Sequence, residues 1–257
     1  MRLEPTRIED VPVPELSGLA LSTDGAGRAR LLAIGDRKTV LAHATLTDEP
    51  LDWIVVDLER FGLDRAQLEG IATTADGRIL LLCETPPLVH VLDLETGRAE
   101  TIALVPADDG ELHDVFDESS SSGEGLVPLG DRRLLVAQEK DPPLLVEFGP
   151  AAGDAPGTLQ ARAAWKVDGV DDISDLAVAG GELFCLSDQS RCIVVVDLPL
   201  DPDADRAGVR KRWELDVPER DGADGKPEGL VVADDLTLLV GLDTRQPRAN
   251  LCWYDRP

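Results

Sequence analysis

Apolar residues along this chain come in short runs separated by acidic, glycine and proline positions, and the runs recur in a fixed order. The clearest unit is QLEGIATTADGRILLLCE at 67–84. An acid and a glycine open a short apolar strand, Glu69-Gly70-Ile71-Ala72. A polar turn follows at Asp76-Gly77, and a second apolar strand, Ile79 to Cys83, ends on Glu84. Asp-Gly between two apolar runs predicts a β-hairpin, because glycine accepts the positive φ of a tight turn. The same unit recurs at 17–36, 124–139, 174–188 and 228–243. Its opening residues, Ser17, Glu69, Glu124, Ser174 and Glu228, are 52, 55, 50 and 54 residues apart.

Each copy continues alike. A third apolar strand is predicted at 39–46, 88–94, 143–149, 192–198 and 250–255, and a fourth at 53–58, 99–104, 161–167 and 209–217. Near-constant periods of this order mean stacked or radial repeats. Four antiparallel strands per repeat make a propeller blade. The expected fold is therefore all-β: a five-bladed β-propeller forming a single domain over 1–257, with blades starting near 17, 69, 124, 174 and 228. The last repeat lacks its fourth strand. TRIEDVPVPELSG (6–18) reads like KRWELDVPE (211–219), which also precedes a strand. Residues 6–13 are thus expected to complete the last blade and remove two free sheet edges.

Composition narrows the picture. Twenty-five basic against 50 acidic residues give a formal net charge of −25. That field repels nucleic acid and anionic membranes and attracts divalent cations. No run of 18 apolar residues predicts a membrane span. The N-terminal MRLEPTRIEDVPVPE has no apolar core segment of a secretory signal, so a cytoplasmic, monomeric protein is expected. Cys83, Cys185, Cys192 and Cys252 fall in predicted strands without C-x-x-C spacing, and are read as buried thiols.

The acids carry the candidate chemistry. If the first strand of each blade runs down beside the channel and the second returns, their outer ends share one face. Ser17, Glu69, Glu124, Ser174 and Glu228 then ring the channel mouth. Asp36, Glu84, Glu139, Asp188 and Asp243 form a wider ring, acidic at every position. Converging glutamates cannot all ionise without a counter-ion. Oxygen-only ligands favour a hard cation, Ca²⁺ before Mg²⁺ or another divalent ion, because Ca²⁺ accepts about 6–8 oxygens in loose geometry. Glu15 and Asp172, each two residues before a ring serine, are candidate outer-shell groups. In the loops after the second strands, Arg37, Lys140, Arg191 and Arg245 are placed to surround a small anion held against the ion. The alternatives are that the glutamates cap backbone amides and that each base neutralises a neighbouring acid. The connection 107–123 is long enough to be a lid and holds His113, the histidine nearest the mouth; His43 and His90 sit in third strands. No G-x-S-x-G motif supports a serine hydrolase.

The chain resembles the SdiA-regulated family of bacterial β-propellers, related to the phytase-like propellers. The shared phrases are LSGLA (16–20), EGIA (69–72), EGLV (124–127) with LLVAQEKDPPLLVEF (134–148), DISDLAV (172–178) with LSDQSR (186–191), and KPEGLVV (226–232). The ring is also similar to that of the calcium-activated nucleotidases, or apyrases, five-bladed propellers with one central Ca²⁺ and ligands in the order Ser, Glu, Glu, Ser, Glu. That resemblance implies Ser17, Glu69, Glu124, Ser174 and Glu228 as metal ligands, and a catalytic or supporting role for Asp188 or Asp36. The chain lacks that family's longer loops and stacking aromatics; Trp53, Trp165, Trp213 and Trp253 fall in strands.

The resulting expectation is a calcium-binding propeller acting as a metal-dependent hydrolase of phosphate esters or anhydrides. Arg37, Lys140, Arg191 and Arg245 would clamp oxygens, and Asp36, Glu84, Glu139 or Asp188 would position or deprotonate water. The main rival is a non-enzymatic binding or scaffold propeller with a structural ion. A glycosidase would need aromatic sugar platforms, and aromatics make up 4% of the chain. A lactonase-type propeller would want an Asn at the metal, and Asn250 is the only one in the sequence.

Overall fold

The computed structural model describes residues 1–36, 39–63, 67–84, 87–107, 112, 115, 123–130, 132–150, 157–220, 223–233, 235 and 237–255. Among these, strands dominate and the one helical element is a 3₁₀ turn, Leu58–Phe61. It begins on the Asp57 carboxylate, which accepts from the Glu59 N–H, and stops at Gly62, whose φ is 80°.

The strands form antiparallel meanders in chain order. The first is Leu16–Thr23, Ala29–Gly35, Val40–Thr45 and Ile54–Asp57. The second is Leu68–Thr73, Ile79–Cys83, Leu88–Asp93 and Arg98–Val105. The third is Gly123–Gly130, Arg133–Gln138, Leu144–Gly149 and Thr158–Val167. The fourth is Asp175–Ala179, Glu182–Ser187, Cys192–Asp197 and Val209–Leu215. Lys226–Val232, Leu238–Asp243 and Leu251–Tyr254 make the last, and Arg7–Glu9 pairs antiparallel with Leu251–Trp253 to complete it. The N-terminal segment closes the final sheet, as its likeness to 211–219 predicted. The strand is shorter than 6–13 because Pro12 and Pro14 have no N–H for a ladder. Val11 and Val13 are instead packed into the core. Asn250 holds this stretch: its side chain accepts from Val11 N at 2.7 Å and donates to the carbonyls of Val11 and Val13 at 3.2 Å.

Each first strand packs beside the next, and Lys226–Val232 packs against Leu16–Thr23, so the first strands surround one axis. An apolar cluster fills every junction between successive sheets, including last to first. Burial of these strand faces is the main stabilising term. All four cysteines are buried and unbridged, as read from the sequence.

Two features of the inner strands place the site. In four meanders the ladder slips at the ring residue: between Leu16 and Gly18, Leu68 and Gly70, Gly123 and Leu126, and Pro227 and Gly229. Such a bulge re-aims a side chain out of the ladder. The glycine that follows is required by close approach: a Cβ on Gly70 would lie 2.5 Å from the Glu124 carbonyl oxygen, and one on Gly125 2.6 Å from Leu176 N. The fourth meander has no slip. Asp175 pairs directly with Leu186, and an aspartate stands where the others have glycine.

Parallel pairings at the outer edges were not anticipated. Arg2–Leu3 pairs with Glu214–Leu215. Ala103–Val105 pairs with Thr158–Gln160, joining the second and third meanders edge to edge.

Candidate functional site: an acidic mouth over a closed axis

Where the first strands begin, the axis opens into a polar cavity of about 290 Å³. Ser17, Glu69, Glu124, Ser174 and Glu228 all line it, so the repeat brings the inner ring together as the sequence implied. From the wider ring, Asp36, Glu139, Asp188 and Asp243 line it too. Glu84 does not, although its charge acts on Glu69. Lys140 lines the cavity, with Nζ 2.6 Å from Glu139 Oε1. Arg191 stands near enough to act on Asp188 but outside the lining, and Arg245 is exposed outside it. Arg37 and His113 lie outside the described residues.

The ring residues are held in two ways. Ser17 Oγ donates to the Leu68 carbonyl at 2.5 Å, and Ser174 Oγ donates to the Pro227 carbonyl at 2.7 Å. Each serine thus fixes the backbone just before the neighbouring ring glutamate, and its oxygen lone pairs remain as acceptors. Asp172, 2% exposed, accepts from Ser187 Oγ and from Gln189 N at 3.1 Å. Ser187 Oγ accepts in turn from Ser190 N at 3.1 Å, so Asp172 shapes the loop that carries Asp188.

Burial and like charge set the protonation of the mouth. Burial, then Asp36, Glu84, Glu139 and Asp243, push Glu69 up to about 8. Burial, then Asp188, raises Glu228 well above the usual carboxylate range, against a partial offset from Lys226. Asp188 is pushed up to about 6 by burial and Asp172, with Lys226 and Arg191 opposing. Glu139 holds the Lys140 ammonium above its ordinary value. Near neutral pH the mouth therefore retains protons that a cation could displace.

Sequence reasoning missed Lys226 and Asp175. Lys226 lines the mouth two residues before Glu228. That is the spacing that singled out Glu15 and Asp172, both of which also line it. Alternation along a strand puts residues i and i+2 on one side, so this signal was present. Asp175 is fully buried. Its carboxylate accepts from Leu176 N at 2.8 Å and from Leu230 N at 2.6 Å on the next sheet. Burial raises its pKa well above the ordinary value while these amides and the Leu19 N–H oppose. The carboxylate ties two neighbouring first strands together. Further along the axis lies a chamber of about 610 Å³ walled by residues such as Leu21, Ile71, Val127 and Val232.

The donor set fits a metal in its chemistry. Five oxygen-bearing side chains in a cavity with proton-retaining carboxyls have the character of a hard-cation site. Among the described residues, no three His, Cys, Asp or Glu side chains gather closely enough to form a ready cage. Ligation would thus need the glutamates to turn inward.

A model of the family described as SdiA-regulated matches residues 16–210. No curated protein matches the sequence. Among solved structures, glutaminyl cyclase from Myxococcus xanthus superposes with a TM-score of 0.57 at 14% identity, covering 98% of this chain and 96% of that one. The PQQ-bound aldose sugar dehydrogenase from Streptomyces coelicolor gives 0.51 at 12% identity, covering 98% and 97%. A protein of unknown function from Bacteroides caccae gives 0.46 at 14% identity over 82% of this chain, which spans 64% of that one. At these identities the likeness to the first two speaks to fold alone, and the fold is propeller-like.

Proposed function

The chain belongs to the SdiA-regulated family, and we propose that it is a five-bladed propeller that holds a divalent cation, Ca²⁺ foremost, at its acidic mouth and hydrolyses a phosphate ester or anhydride there. The observation that carries this reading is the convergence of Glu69, Glu124 and Glu228 with Asp36, Glu139, Asp188 and Asp243 on one cavity, where partial burial and like charge push Glu69 and Glu228 above the usual carboxylate range. A site of that kind is relieved either by protons or by a cation. Glu69, Glu124 and Glu228 would hold the ion, with the Ser17 and Ser174 oxygens as further donors. When bound, the ion supplies Lewis-acid polarisation of a phosphoryl oxygen.

The rest falls to the chain's own side chains. Lys140 and Lys226, on the cavity wall, and Arg191 beside Asp188 offer positive charge to the remaining phosphoryl oxygens. Arg245 would serve in the surrounding loop. Asp188, at about 6, is largely ionised at neutral pH and can accept a proton from attacking water. Water's oxygen bonds to phosphorus, its proton passes to Asp188, and the ester or anhydride oxygen leaves with the bonding pair. Asp36 and Glu139, which line the cavity, would orient that water.

A second reading, a structural ion in a non-enzymatic binding propeller, is favoured by the serine-to-carbonyl bonds, which tie blade to blade. Asp188→Asn separates the two. It would abolish turnover in the first reading and leave calcium affinity in both.

The test is a thermal melt of EDTA-stripped protein with and without Ca²⁺, for the wild type and Glu124→Gln. A ligand that binds only the folded state adds about 2.7 kcal/mol at a hundred times Kd. A Ca²⁺-dependent rise in the wild type that Glu124→Gln mostly removes is expected, followed by turnover in a phosphoesterase and nucleotidase screen. No shift with Ca²⁺, Mg²⁺ or Mn²⁺ would overturn the ion site. A shift without turnover would leave the structural ion.

A further inference from the structure

We propose that the junction of the second and third meanders binds an amphipathic organic anion, its apolar tail in the open end of an eight-strand enclosure and its carboxylate head on arginines at the rim. The parallel pairing of Ala103–Val105 with Thr158–Gln160 joins these two sheets at their outer edges. Their inner strands, Leu68–Thr73 and Gly123–Gly130, pack side by side at the axis. The two meanders thus run through one continuous strand order whose ends meet, a nearly closed barrel. An eight-strand enclosure is just wide enough for its own side chains or for one small ligand.

Toward the acidic mouth, Leu82, Val89, Leu126, Val136 and Val146 fill the interior, and Phe148 lies level with Leu134 at the opposite end, by the Asp76-Gly77 turn. A groove of about 720 Å³ opens there, floored by Leu80, Val91, Ile102, Leu134 and Leu159. Small-molecule sites occupy about 300–1,000 Å³ and are mostly apolar with a few fixed polar groups.

Arg78, Arg132 and Arg133 line this groove in a chain whose formal net charge is −25. Arg78 pairs with Asp76 at 2.9 Å and Arg133 with Glu147 at 3.2 Å, and Glu100 also lines the groove. Exposed pairs of this kind hold weakly, so a ligand carboxylate can exchange into them. Three arginines against Asp76, Glu100 and Glu147 leave these named groups balanced, a rim that tolerates a monoanion better than a polyanion. Among the described lining residues none is aromatic, so no platform stacks a base or a sugar. A single carboxylate on an apolar chain fits the floor and the rim together.

Titration calorimetry with dodecanoate, in EDTA, tests this on the full chain. Dodecyltrimethylammonium, with the same tail and the opposite charge, is the control. One-to-one binding of dodecanoate alone is expected. Arg132→Glu with Arg133→Glu should weaken it at least about tenfold, since charge-assisted bonds to the head are replaced by repulsion. Ile102→Trp, which fills the groove, should abolish it while the melting temperature stays near the wild type. No binding of dodecanoate, equal binding of the cationic detergent, or affinity unchanged in both variants would overturn the proposal. So would binding of an acidic peptide in place of dodecanoate.

Discussion

Four of the inner strands open with a bulged ring residue followed by glycine, and one opens with a straight ladder and Asp175. At the four, glycine lets the neighbouring backbone close in, and the ring side chain turns to the mouth. At the remaining one, a carboxylate takes amides from its own strand and from Lys226–Val232 beside it. Repetition builds a mouth; a single break in the repetition builds its floor. Only one chain position can carry that carboxylate, because several buried acids on one axis would repel and crowd one another.

The contrast can be broken by copying the exception. Gly125→Asp puts a side chain within 2.6 Å of Leu176 N and a second acid beside Asp175. A loss of roughly 4 kcal/mol or more in urea unfolding is expected, from overpacking and an unpaired buried charge. Near-wild-type stability would mean that the axis is roomier than the glycines imply. Erasing the exception should cost less. Asp175→Ala orphans the Leu176 and Leu230 amides, at about 1–3 kcal/mol each. Asp175→Gly should fall in the same range, and a neutral result would make the floor dispensable.

Acidity separates mouth from floor more gently. Without divalent ions, Glu69 holds its proton to about pH 8 when folded but only to its ordinary 4.5 when unfolded. Between those values the folded state binds more protons, so stability is greatest below about 4.5 and falls as pH rises toward 8. Melting temperature across that window should decline, and Glu69→Gln should flatten the decline. A rising curve would contradict a proton held on the buried Glu69 carboxyl. The smallest effect is expected from Ser174→Ala, about 1 kcal/mol for the bond to the Pro227 carbonyl, with Ser17→Ala comparable.

Much of this molecule can be read from its letters. Hairpins such as 67–84 carry period-two patterning and a turn glycine, so strands appear close to their expected limits. The mouth is legible because Ser17, Glu69, Glu124, Ser174 and Glu228 share one place in the repeat, and shared place becomes shared space on a ring. Asp175 was in view within DISDLAV, yet nothing local says that a carboxylate will reach a neighbouring strand's amide. Parallel contacts between distant outer edges, such as Leu104 with Leu159, leave no mark in either segment. Lys226 shares the place of Glu15 and Asp172 but not their charge, and Gln67 and Ser122 at the same place leave no series that would point to it.

The seam between Arg7–Glu9 and Leu251–Trp253 has a temporal meaning. Within this domain Arg7–Glu9 leaves the ribosome more than 200 residues ahead of the strand it pairs with. Until Leu251–Trp253 has emerged, the nascent chain is an arc with two bare edges, the form most open to wrong pairing. That pairing seals the last sheet, and Asn250, arriving just before its strand, clasps a segment made long before it.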